Sequence, residues 1–138
     1  MPGEAQEHVI ERRPSQDEVI DLIQWEMGKS RFSAWQEILQ VGNIARHYAR
    51  HGGAYLKDNK VRGAVPGLSR VKEVRVAKGV VGIISPWNFP VAIFCGQIVA
   101  AAVAGNTVLA KPAEQTSIVA HRVIELLYEA GMPRDVVQ

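Results

Sequence analysis

The chain is predicted to be α/β, with N-terminal helices leading into the first strand–helix–strand–helix part of a parallel sheet that stays incomplete. Three observations carry this expectation. Upstream, two stretches place apolar residues at helical spacing. From Gly79 on, two short apolar runs, residues 80–84 and 107–110, are each followed by a helical pattern. The order strand, helix, strand, helix predicts a right-handed parallel unit, the building block of Rossmann-like sheets.

Taken in order, residues 1–14 read as a polar tail, and residues 15–69 as a helical segment with a connector. After Ser15 the apolar positions Val19, Ile20, Leu22 and Ile23 recur at helical spacing, and Gly28 is a stop signal. Ser30 is placed to cap a second, longer helix carrying Trp35, Ile38, Leu39, Ile44, Ala45 and Tyr48, which ends near Gly52-Gly53. From Ala54 to Ser69 a basic, Gly- and Pro-containing stretch reads as connector, with Pro66-Gly67 as its turn signal. Residues 70–138 begin with Val71, Glu73 and Arg75 alternating with Lys72, Val74 and Val76, the pattern of an exposed or edge strand. The run Val80 to Ile84 ends in Ser-Pro and reads as a strand buried on both faces. Pro90 suits the first position of a helix, where its missing N–H costs nothing. That helix is expected to pass through Ile98 and Ala102 to about Ala104 and to stop at Gly105-Asn106. The next strand leads into Lys111-Pro112. Thr116 or Ser117 then caps a last helix with Val119, Val123, Leu126 and Leu127 on its buried side; Gly131 closes it and Pro133 follows.

Composition narrows the function classes. The 138 residues suit one modest domain, and 47% hydrophobic with 22% charged residues is globular composition. A formal charge of +2, with basic residues scattered among acidic ones, gives no phosphate-tracking stripe, so no nucleic-acid partner is expected. The single cysteine excludes an internal disulfide and fits a reducing compartment. The polar start Met1-Pro2-Gly3-Glu4-Ala5-Gln6-Glu7-His8 is unlike a secretory or mitochondrial leader, which points to the cytoplasm. Residues 91–110 carry no charge over twenty positions, long enough to raise a membrane reading. Gly96, Gln97, Gly105, Asn106 and Thr107 interrupt that run, and a helix–turn–strand of a buried core explains it better, so no membrane partner is expected.

Several polar groups collect at the downstream ends of the two predicted strands, where open α/β sheets gather ligands. Asn88 lies in Pro86-Trp87-Asn88-Phe89-Pro90. Its amide N–H₂ can donate to a developing oxyanion without proton transfer. By spacing alone it reads rather as a turn asparagine satisfying local backbone, usual for Asn beside Pro. Lys111 and Glu114 read on their own as a surface ion pair at a loop. They also suit the hydroxyls of a ribose, the ammonium donating and the carboxylate accepting. Trp87 and Phe89 are pocket-wall or core aromatics. Cys95 sits inside a helix among Ile93, Phe94 and Ile98 and reads as a small buried hydrophobe, since a reactive thiolate needs an electropositive, partly open site. His47 and His51, four apart on a helix, lack a third ligand or an adjacent glutamate, so no metal is expected.

The segment Ile83-Ile84-Ser85-Pro86-Trp87-Asn88-Phe89-Pro90, followed by Gly105-Asn106-Thr107-Val108-Leu109-Ala110-Lys111-Pro112-Ala113-Glu114-Gln115-Thr116, resembles the NAD(P)-dependent aldehyde dehydrogenases. Ile23-Gln24-Trp25-Glu26-Met27-Gly28-Lys29 resembles the Glu-x-Gly-Lys segment of that family's N-terminal helices. The stretches Phe94 to Ile98 and Lys111 to Thr116 look most like the glutamate-γ-semialdehyde dehydrogenase part of bifunctional proline-utilisation proteins. Residues 62–70 look more like succinate-semialdehyde dehydrogenases. The resemblance implies that 70–138 is the first part of the nucleotide-binding domain of an oxidoreductase that converts an aldehyde, by these looks a semialdehyde, to a carboxylic acid.

It also implies roles. Asn88 becomes the catalytic oxyanion donor, and Lys111 and Glu114 the grip on the adenosine ribose. Ile84 and Ser85 become backbone contacts to the cofactor, and Trp87 a cofactor or substrate contact. A carboxylate at Glu114 would repel a 2′-phosphate, so NAD is expected over NADP. No Gly-x-Gly-x-x-Gly occurs, which is neutral because the family's phosphate loop differs and lies downstream. Cys95-Gly96-Gln97 does not reproduce the family's nucleophile motif, which belongs beyond Gln138, and the hydrolytic base is likewise not included. The expectation is therefore a fragment, inactive alone, of a parent protein that acts on a small aldehyde and assembles as a homo-oligomer. A non-catalytic nucleotide-binding remnant and an unrelated Rossmann-like enzyme are the alternatives.

Overall fold

A computed structural model describes residues 4–65 and 68–138, with side chains from Ser15 onward, so the expected turn at Pro66-Gly67 lies outside the described residues. The first helix, α1, spans Glu4–Met27 and begins upstream of Ser15, within the stretch expected to be a tail. Residues 4–13 are dominated by Glu, Ala, Gln and Arg, good helix formers, and the helix runs on through Pro14, which has no N–H to donate to the preceding turn. The helix stops as expected, with Gly28 at φ 66°. The next helix, α2, spans Arg31–Tyr55, and its Ser30 hydroxyl accepts from the Ser33 N–H at 3.2 Å. It runs two residues beyond Gly53. Gly52 is buried where a Cβ would lie 2.6 Å from Val103 Cγ1, so glycine permits the close helix crossing there.

The connector holds an unexpected strand. Asn59–Arg62 (β1) pairs antiparallel with Arg70–Glu73 (β2), setting Val61 opposite Val71. Both strands are exposed throughout, and β2 ends at Glu73 rather than continuing to Val76. Nothing in the residues of β1 alternates apolar with polar, so its extended form depends on pairing across the hairpin.

The parallel unit follows. Val80–Ile84 (β3) pairs in parallel register with Thr107–Lys111 (β4), and Ala92–Val103 (α3) connects them. Alternate residues of β4 address opposite edges: the Thr107 N–H goes to Gly79, whereas the Val108 and Ala110 N–H groups go to Val136 and Gln138. Residues 136–138 thus lie against the free edge of β4, with a parallel bridge from Val108 to Val137. A short 3₁₀ turn, Glu114–Thr116, leads into Ser117–Glu129 (α4).

One face of the sheet carries the core. Ile83 and Val108 point into a cluster with Val19, Ile20 and Ile23 of α1, Ala34 of α2, Phe94, Cys95 and Ile98 of α3, and Val119, Ala120 and Val123 of α4. The opposite face is open, with Val80, Ile84 and Leu109 all more than half exposed. The expectation of a strand buried on both faces is therefore corrected: all four helices contribute to one core on one side. The apolar character of β3 reflects a face that no described residue covers.

Asn106, buried after the positive-φ Gly105, ties the unit together. Its Oδ1 accepts from the Lys78 and Gly79 N–H groups at 2.6 and 3.1 Å, and its Nδ2 donates to the Ala101 carbonyl at 3.1 Å. The end of α3 is thereby stapled to the start of β3. None of the described helices is long and apolar enough to cross a membrane; residues 91–110 divide into α3 and β4.

Candidate functional site

Parallel register decides the geometry of the site. Ile84 pairs with Lys111, so both strands end at one level and their exits open side by side. The two side chains share the uncovered face. Ile84 is 79% exposed and Lys111 60% exposed. The ladder continues one residue further, because the Ser85 N–H donates to the Lys111 carbonyl at 3.1 Å. Ser85 is buried and its hydroxyl donates to Gln97 Oε1 at 3.0 Å. Its N–H is thus already used within the protein, and its carbonyl is the backbone group left to meet a ligand.

Beyond Ser85 the turn 86–90 carries Trp87, Asn88 and Phe89 outward, all three exposed. Among the described residues the Asn88 side-chain amide has no protein partner. It does not bond its own turn, so both of its N–H donors remain free for something else. Pro90 is buried, and α3 begins at Ala92, two residues later than Pro90 as the first helical position would require. The first helical bond, from the Ile93 N–H to the Phe89 carbonyl at 3.2 Å, still leaves Pro90 where an N–H has no intrahelical partner.

Across the edge, Lys111 Nζ lies 3.5 Å from Glu114 Oε1 and donates to the Pro112 carbonyl at 3.3 Å. Both side chains are exposed, Glu114 at 87%. An ammonium with donors to spare beside an open carboxylate is a donor–acceptor set that fits a vicinal diol.

Three further residues shape this edge. The Glu37 carboxylate, on α2, is 2% exposed; its Oε2 accepts from the Val91 and Ala92 N–H groups at 3.0 and 3.1 Å and so caps α3. Lys29 Nζ pairs with Glu37 Oε1 at 2.5 Å and stands 4.1 Å from the centre of the Phe89 ring. Glu26 caps α4 in the same way, its two oxygens accepting from the Ile118 and Val119 N–H groups at 3.0 and 2.8 Å. Thr116 occupies the cap position of α4, but its hydroxyl makes no capping bond, which corrects the expectation of a local cap. A signal for Glu37 was present: it lies three after Ala34 and four before Val41, a carboxylate on the buried stripe of α2.

Cys95 is buried in the apolar cluster. Burial pushes its thiol up to about 12, and the negative charge of Glu37 adds to the rise. His47 and His51 stack with ring centres 4.7 Å apart, and His47 Nε2 meets the Tyr55 hydroxyl at 3.0 Å. Among the described residues no group of three or more His, Cys, Asp or Glu side chains could hold a metal ion.

Comparison with known proteins adds the context. A family model described as the aldehyde dehydrogenase family matches residues 6–138. The chain is 42% identical over 121 residues to a candidate succinate-semialdehyde dehydrogenase (NADP(+)) of Mycolicibacterium smegmatis, covering 88% of this chain and 23% of that protein. Among solved structures, a mutant of proline utilization A (PutA) from Bradyrhizobium japonicum is 40% identical with a TM-score of 0.75, covering 86% of this chain and 12% of that one. An NADP-dependent glyceraldehyde-3-phosphate dehydrogenase from Bacillus halodurans C-125, complexed with NADP, is 34% identical with a TM-score of 0.81, covering 89% and 26%. Both kinds of similarity expected from the motifs are thus found. The chain spans about a quarter of the length of the curated relative from M. smegmatis.

Proposed function

The chain belongs to the aldehyde dehydrogenase family, and from that premise we propose that it supplies the oxyanion donor and the ribose grip of an enzyme oxidising an aldehyde to a carboxylic acid with NAD(P)+. The observation that carries this reading is the register of Ile84 opposite Lys111, which sets the Asn88 turn and the Lys111–Glu114 pair at one sheet edge. Similarity to proteins named for succinate semialdehyde and proline utilisation supports a semialdehyde as the substrate.

In this reading the Asn88 amide donates to the carbonyl oxygen as it gains negative charge on attack by a nucleophile. A neutral amide is suited to this because it stabilises charge without giving up a proton. The nucleophile is not Cys95, the chain's one cysteine: a buried thiol pushed up to about 12 has almost no thiolate near neutrality. Lys111 and Glu114 would hold ribose hydroxyls, Ile84 and Trp87 would offer apolar contact, and the Ser85 carbonyl would accept from the cofactor. The dinucleotide, when bound, accepts the hydride.

Glu114 does not by itself select NAD. Its pairing with Lys111 is an exposed ion pair three residues apart, a weak arrangement that can open to let the ammonium meet a 2′-phosphate. The relatives named for NADP support that cofactor at least as well.

The test uses the protein as its source produces it. Asn88→Ala is expected to lower turnover about a hundredfold or more while cofactor affinity stays nearly constant. Lys111→Ala is expected to weaken cofactor binding and leave the chemistry of the bound complex nearly unchanged. An undiminished rate in the first variant removes Asn88 from the mechanism, and unchanged affinity in the second removes the ribose grip.

A further inference from the structure

Asn88 is held by neighbours rather than by bonds of its own. On its N-terminal side Ser85 is locked by the Lys111 carbonyl and by Gln97. On its C-terminal side the fixed points are Phe89, under the Lys29 ammonium, and the Val91 and Ala92 N–H groups, held by Glu37. No side chain near Val91 caps α3, so the cap comes from 54 residues upstream along the chain.

A carboxylate buried to this degree needs a partner of opposite charge. Lys29 supplies it, itself only 17% exposed. The same ammonium faces the Phe89 ring at 4.1 Å, within cation–π range. One cation therefore connects the α1–α2 corner to the turn that carries Asn88.

Resting on the reading of Asn88 given above, we propose that Lys29 and Glu37 are positioning residues that set where the Asn88 amide sits, Glu37 by fixing the first turn of α3 and Lys29 by clamping Phe89. Neither residue touches the reacting atoms. Their effect is geometric, and displacement of an oxyanion donor by about an ångström costs up to roughly a hundredfold in rate.

The test labels the protein, as its source produces it, with 5-fluorotryptophan and follows the Trp87 ¹⁹F resonance, assigned with Trp87→Phe. The double variant Lys29→Met/Glu37→Gln removes both charges and leaves no unpaired charge buried. It is expected to move or broaden the Trp87 signal while the Trp25 and Trp35 signals stay in place. Phe89→Leu, which keeps the ion pair and the cap, is expected to move the same signal, and Lys29→Arg alone, which keeps a cation over Phe89, to leave it in place. Turnover should fall at least tenfold in the double variant with the KM for cofactor within about twofold. A Trp87 signal unchanged in the double variant overturns the proposal. A moved signal with full turnover overturns the link to catalysis. If Asn88→Ala also keeps full turnover, the failure belongs to the reading of Asn88 instead.

Discussion

Asn88 and Cys95 are seven residues apart and show how environment assigns roles to side chains. Asn88 lies in an exposed turn with its amide free, whereas Cys95 is enclosed in the helix that follows. Burial, reinforced by the charge of Glu37, raises the Cys95 thiol from an ordinary value of 9.0 to about 12. At pH 8 its labelling by iodoacetamide is expected to be roughly a thousandfold slower in the folded protein than in denaturant, from the thiolate fractions alone. Free labelling of the native protein would sink the assignment as a core residue. Between about pH 9 and 12 the unfolded chain loses this proton while the folded chain keeps it, so stability is expected to decline over that window. The candidate residues Asn88, Lys111 and Glu114 were legible because a turn motif and a strand-end motif carry them. Lys29 and Glu37 were not legible as partners of that turn, because the contacts join residues 54 or more positions apart.

At the scale of elements, the starts of α2 after Ser30 and of α4 after Thr116 are both legible in the sequence, but only α2 carries its own cap. Ser30 caps α2 from within its own turn, and its chemistry is visible in the sequence. The caps of α3 and α4 come instead from Glu37 and Glu26, across the interface with the N-terminal helices. A carboxylate at a helix N-terminus both satisfies N–H groups and is attracted by the positive end of the helix dipole. Glu26→Ala is expected to destabilise the protein by about 1–2 kcal/mol, seen as a lower urea midpoint with an unchanged slope. An unchanged midpoint would show that water replaces the carboxylate at no cost. The β1–β2 hairpin was missed for a related reason: its residues are exposed, and Lys60 faces Lys72 while Arg62 faces Arg70. Such a strand has no apolar period to detect, and its pairing partner defines it.

For the whole molecule, the feature with most consequence is the sheet face left open. Val80, Ile84 and Leu109 line it, while the helices pack on the other side. Exposed apolar surface on a short parallel sheet favours association. Expressed as these 138 residues alone, the polypeptide is expected to self-associate with rising concentration, and Leu109→Lys to reduce this in light scattering. Equal scattering from both would place the sticky surface elsewhere.

The sequence alone determined the α/β class, the helix stops at Gly28 and Gly105, the parallel unit and the two motifs that identify the family. These follow from local rules: apolar period, glycine at positive φ, and residue types at fixed spacing. Tertiary structure alone decided which face of the sheet is covered, which carboxylate caps which helix, and that the Asn88 turn lies under a lysine from the first helical corner. Such contacts depend on where separate elements meet. The free energy that selects them comes from burying apolar area and satisfying buried N–H groups together, a property of the assembled core rather than of any one segment.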